Sequence, residues 1–137
     1  MTNKEYLSQV YKLQTKIDRM YLRYQEYERL ASSVPGPNYD GIRVDGTRNL
    51  EAPFVKWVGK MIDLKKEIDE NKKKLDELKT EIIGVIESLE NEDYKNVLML
   101  RYISFLTWDE IADKLYISLS TVKRWHEKGC EKIIIKS

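Results

Sequence analysis

Between Leu100 and Ile133 the chain reads LRYISFLTWDEIADKLYISLSTVKRWHEKGCEKI. The residue types in this stretch are spaced for a task. Trp108, Ile111, Ala112 and Leu115 recur at i, i+3, i+4 and i+7, the buried stripe of a short helix. Thr107 and Glu110 form a T-x-x-E capping box at its start. Ala112 is small where a second helix would cross. Ile117 falls in a turn, and Ser118 is a good N-cap for the helix that follows. Val122 and Trp125 would lie on the inner face of that helix. Ser120, Thr121, Lys123, Arg124 and Lys128 are left on its outer face. This is the pattern of a helix-turn-helix with a recognition helix over 118–130. Such a helix can bring its side chains to base edges in the DNA major groove. One residue departs from the pattern. Tyr116 stands where many such turns use Gly, which reaches positive φ at little cost. Either the turn differs here, or Tyr116 accepts the strain. The spacing also fits three short helices that simply pack as a core and leave a solvated, charged face.

Two long helices are expected to precede this unit. The first is predicted from about Thr2 to Ala31, with Thr2 and Glu5 as a capping box. Tyr6, Val10, Leu13, Ile17, Met20, Tyr24, Tyr27 and Ala31 alternate steps of four and three, a heptad seam. Pro35, Gly36, Pro37, Gly41 and Gly46 then predict a loop over 32–50. Its Arg43 and Arg48 could meet a phosphate or simply be solvated. The second helix is predicted from about Ala52 to Leu89. Its seam is Phe54, Trp57, Met61, Leu64, Ile68, Asn71, Leu75, Leu78, Ile82, Val85 and Leu89. Asn71 is its single polar member, a residue type that fixes register when buried. The Lys- and Glu-rich run between seam positions reads as a solvated face with i,i+4 ion pairs. Neither helix can bury its stripe alone, so an antiparallel hairpin is expected. By rise per residue the helices are about 45 Å and about 57 Å long. The excess of the second would pack on the C-terminal unit or on a second subunit. Asn91 is a plausible cap for the next helix, with Tyr94, Val97, Leu98 and Tyr102 inward. The expected fold is all-α: a long antiparallel coiled-coil hairpin over 1–90, then a three-helix unit over 91–137.

Composition bounds the partners. The 137 residues are 42% hydrophobic and 34% charged, the style of a soluble helical protein. The net charge of +1 is uninformative as a whole. From Ser118 to Ser137, however, five basic residues stand against two acidic ones. A locally basic helix suits contact with phosphates. The single cysteine, Cys130, excludes an internal disulfide and reads as a small core residue of a reduced cytoplasmic protein. No signal peptide or transmembrane run is expected. His126, the only histidine, has no companion ligands; it reads as a partly exposed helix residue and not as a metal site. No Gly-rich phosphate loop, H-E-x-x-H or Cys-x-x-Cys is present, so no enzyme, metal or cofactor is expected.

From Val97 to Ile133 the chain resembles region four of bacterial sigma factors, which reads the promoter −35 element. The carrying segments are Leu100 to Tyr102, Thr107 to Ala112 and Ser118 to Val122. The whole chain resembles phage and prophage late-operon regulators of the ArpU type, on APFVKWVGKMIDL and TVKRWHEK. By position, the resemblance carries base-reading roles onto Leu119, Ser120, Lys123 and Arg124. Sigma factors commonly hold an Arg-Glu pair where this chain has Leu119 and Ser120, so a standard −35 sequence is not the expected target. Arg124 could fork onto guanine, and Lys123 could reach guanine or a phosphate. Ser118 and Thr121 are placed for backbone contacts. Nothing in the chain resembles the sigma segment that melts the −10 region.

The resemblance implies a transcriptional regulator, an activator, of phage or prophage genes in a bacterial cytoplasm. Its partners would be double-stranded DNA and RNA polymerase, with no membrane; a second copy through the long helices is instead what the uncovered length of the second helix suggests. Two other readings remain open: a phage small-terminase-like packaging subunit, and a protein-interaction module using the coiled coil.

Overall fold

The computed structural model describes residues 1–33 and 44–135, the side chains of 44–53 excepted. Among the described residues the protein is all-helical. The helices are α1 (Asn3–Leu7), α2 (Gln9–Ser33), α3 (Val44–Glu87), α4 (Glu92–Leu98), α5 (Trp108–Leu115) and α6 (Leu119–Lys132), with a π-helical turn at Met99–Ile103 after α4.

The first expected helix is present but broken at Ser8. The Ser8 hydroxyl donates to the Lys4 carbonyl at 2.6 Å, and that carbonyl also accepts from the Ser8 amide at 3.0 Å. Thr2 caps α1 by accepting from the Glu5 amide. The second expected helix starts earlier than the loop reading allowed. α3 already runs from Val44, through Gly46 and Pro53. A helix nucleated downstream gains one hydrogen bond per added residue, so a single unfavourable residue need not end it. The expected loop therefore does not extend over 44–50; its remaining part, at 34–43 and including Arg43, lies outside the described residues, as does the side chain of Arg48.

The chain forms two compact units interleaved along the sequence: residues 15–73, and residues 1–14 together with 74–137. In the first, Ile17, Met20 and Ala31 of α2 and Leu64 and Ile68 of α3 are buried. Tyr27 stacks on Trp57 with centroids 5.8 Å apart. The ammonium groups of Lys65 and Lys72 lie over the Tyr21 ring. Asn71 is half-buried and its amide donates to the Glu67 carbonyl of its own helix at 2.8 Å, with the Met20 sulfur at 3.9 Å. Phe54, expected in the seam, is 50% exposed. It lies one turn beyond Trp57, and the partner of Trp57, Tyr27, is already near the end of α2 at Ser33.

In the second unit Tyr6, Leu7, Val10, Leu75, Ile82, Ile86 and Leu89 are buried, with Val97, Leu98, Tyr102, Ile111, Val122, Cys130 and Ile133. α6 is packed against α4, α5 and α1. Asn91 caps α4 by accepting from the amides of Asp93 and Tyr94. Around Val97, Ile111, Ala112 and Val122 gather Leu100, Leu106, Trp108, Leu115, Ile117 and Trp125. The stripe on α5 and the inner face of α6 thus share one core.

Candidate nucleic-acid interface

The C-terminal face is built by what fixes α6. Thr107 caps α5 through both halves of a capping box, its hydroxyl accepting from the Glu110 amide while the Glu110 carboxylate accepts from the Thr107 amide. At the far end of α5 the chain reverses through Tyr116, at φ 57 and ψ 44. The Tyr116 amide donates to the Asp113 carbonyl at 3.4 Å, and the Ile117 amide to the Ala112 carbonyl at 3.1 Å. This is the closure a helix makes when the residue beyond its end is left-handed. Tyr116 therefore holds the conformation that Gly would adopt freely, at a cost of about 1 kcal/mol. Ser118 then caps α6, accepting from the Thr121 amide at 3.2 Å.

Four contacts fasten the other side of α6. Gly129 leaves its α-carbon bare where α4 passes: a β-carbon there would come within 3.2 Å of Tyr94 Cβ and Leu98 Cδ1. The Asn3 amide donates to the carbonyls of Cys130 at 2.7 Å and Ile133 at 3.1 Å. Cys130 is in the last turn of α6, where carbonyls have no helical partner of their own. Lys4 pairs with Glu127 at 2.6 Å. Both of its side chains are about half exposed, so this pair contributes little.

His126 is the fourth contact, and here the expectation of a partly exposed residue is corrected. It is 5% exposed. Its Nε2 lies 2.6 Å from the Tyr102 hydroxyl, and the edge of its ring meets Trp108 with centroids 4.7 Å apart. The Arg101 guanidinium covers Trp108 at 4.1 Å and donates to the Leu106 carbonyl. Burial pushes the imidazole down to about 4, so at neutral pH the ring is uncharged. Burial also raises the Tyr102 phenol, which keeps its proton at neutral pH and shares a hydrogen bond with Nε2. The Cys130 thiol, 3.6 Å from Nε2, is pushed up to about 11 by burial and is an inert core group at neutral pH. Among the described residues no group of His, Cys, Asp and Glu could hold a metal ion.

With that side fastened, the opposite side of α6 is committed to solvent. Ser118, Leu119, Ser120, Lys123, Arg124 and Lys128 are exposed. Thr121 is half-buried, its hydroxyl 2.7 Å from that of Ser118. Among the described residues no carboxylate pairs with Lys123, Arg124 or Lys128. The seven expected contact residues are thus brought to the first three turns of one helix and its cap. The helix presents cations with no internal partner, hydroxyls at its start and one exposed leucine. Such a surface can meet a polyanion.

His126 and Gly129 carry much of this placement and were not singled out from sequence for it. Their signal was the period: Val122, His126 and Gly129 follow one another at i, i+4 and i+7, the same face. A lone histidine makes no metal site, but it can still be buried by one hydrogen bond, as His126 is by Tyr102.

No helix among the described residues is long and apolar enough to cross a membrane. No curated protein matches the chain, and no solved structure matches it. A family model does: that of the family described as "Protein of unknown function (DUF1492)" matches residues 34–133. That match spans most of the chain, and the protein belongs to this family.

Proposed function

We propose that this protein is a sequence-specific DNA-binding transcriptional regulator. In this reading α5 and α6 act as a helix-turn-helix, and α6 enters the major groove with its N-terminal residues toward the bases. The observation that carries the reading is the contrast between the two sides of α6. One side is fastened by Val122, His126, Gly129 and Cys130, all buried. The other holds Lys123, Arg124 and Lys128 without acidic partners among the described residues. Cations left unpaired on a rigid helix are suited to phosphates and guanine edges. Ser118, Ser120 and Thr121 are placed for contacts to the DNA backbone.

The pairs Tyr27–Trp57 and Met20–Asn71, which run in opposite sequence directions, support reading α2 and α3 as an antiparallel hairpin. On its resemblance to sigma region four and to ArpU-type regulators, the protein would activate phage or prophage genes from a site upstream of a promoter. It would do so by contacting RNA polymerase, as a dimer through the long helices.

The test is fluorescence anisotropy on labelled duplexes across a range of salt. Each cation that neutralises a phosphate should add about 0.9 to the magnitude of the slope of log Kd against log salt. Binding that is absent at low salt would contradict the DNA reading. A pull-down with polymerase core and holoenzyme, with DNA present, tests the second partner; recovery of nothing would remove it.

A further inference from the structure

The basic face has an apolar edge that neither its charge nor its hydroxyls explain. Tyr116 is 94% exposed, and Leu119, three residues on, is 38% exposed. Among the described residues Tyr116 has neither a hydrogen bond nor a ring contact through its side chain. It also sits in the left-handed conformation that disfavours a branched or bulky L residue. Folding therefore gives no reason for a tyrosine here: the backbone would be easier with Gly, and the ring covers nothing. An outlier of this kind points to a use outside the fold. Leu119 is the first residue of α6, at the end of the helix that meets base edges in this type of docking. A leucine can neither donate to nor accept from a base. What it can meet in the major groove is the 5-methyl group of thymine, the one apolar group displayed there. The cations of Lys123 and Arg124 on the following turn supply the charge complementarity that brings a duplex to this edge.

We propose that Tyr116 and Leu119 form an apolar lip on the basic face that reads thymine methyl groups in double-stranded DNA. This rests on the DNA-binding reading above and assigns the chemistry of its specificity. The target should carry an A·T pair at a fixed position next to the bases read by Lys123 and Arg124. Tyr116 accounts for its own strain in the same way, as an exposed ring kept for the duplex and not for the core.

The experiment begins from duplexes selected by the full-length protein from a random pool. Each thymine of the enriched site is replaced in turn by deoxyuridine, which deletes only the methyl group. Kd is measured for the wild type, Leu119→Ala and Tyr116→Gly, with Tm alongside. The wild type should lose about four-fold in affinity at one or two thymines, the worth of one buried methyl. Leu119→Ala should bind the thymine and deoxyuridine duplexes equally. Tyr116→Gly should melt a few degrees higher and bind more weakly, a split that a merely structural Tyr116 would not produce. Equal binding of the wild type to deoxyuridine at every position would overturn the proposal while leaving DNA recognition standing. So would a Tyr116→Gly protein that binds as tightly as the wild type. A pool from which nothing is enriched would overturn the DNA reading and this proposal together.

Discussion

Lys123, Arg124 and Lys128 do different work in the proposed interface, and their variants should separate. Arg124 carries the planar fork that matches guanine O6 and N7, so Arg124→Ala should relax preference at one base pair and cost about 1–3 kcal/mol. Lys128, a turn further along α6, would serve as a phosphate contact. Lys128→Ala should weaken binding to every sequence alike and lower the salt slope by about one, read by titration at several ionic strengths. His126 bears on stability instead of binding. Its imidazole is held near 4 when folded against 6.5 when free. Below pH 6.5 the unfolded chain takes up a proton that the folded chain refuses until about pH 4. This stabilisation is therefore fully present above pH 6.5 and is lost as pH falls toward 4, by about 3 kcal/mol in all. Urea melts at pH 7 and pH 4.5 should show the fall, and His126→Phe should flatten part of it. The exposed cations were legible in the sequence because solvent-facing residues obey helical period alone. His126 was not, because its burial depends on Tyr102 and Trp108 arriving from α5 and the turn before it.

At the scale of elements, caps and turns set where α5 and α6 stand. The boxes and caps at Thr107, Asn91 and Ser118 were readable because a cap involves residues only two or three positions apart. So was the special place of Tyr116, whose positive φ follows from its position after α5. The start of α3 was not readable: local penalties at Gly46 and Pro53 suggested a loop, and the helix runs through both. The crossing of α6 on α4 was invisible for the same reason that His126 was, whereas small Ala112 had marked the crossing of α5 and α6. Gly129 faces Tyr94 and Leu98 of α4, and nothing in its own neighbourhood in sequence names them as partners. Gly129→Ala should be close to neutral, since better helix propensity offsets a contact that must give by a few tenths of an ångström. Gly129→Val has no such relief. It should destabilise by about 1–3 kcal/mol through overpacking, measured as a lower urea midpoint.

For the whole molecule, the interleaving of the units is the consequential feature. Residues 1–14 belong with the C-terminal helices, and Asn3 satisfies the end of α6 from the opposite end of the chain. Hydrophobic pattern along the chain carries no information on which distant segment a seam packs against. Deleting residues 1–14 should therefore lower the Tm of the C-terminal unit and, with it, any DNA affinity. The central claim is that α6 reads DNA, and selection of bound duplexes from a random pool, for the wild type and for Lys123→Ala/Arg124→Ala, tests it most directly. The wild type should enrich a motif that the double variant loses while keeping the wild-type helical content, and a two-fold repeat in that motif would mark a dimer. A pool in which neither protein enriches anything, or in which both enrich the same motif, would contradict it.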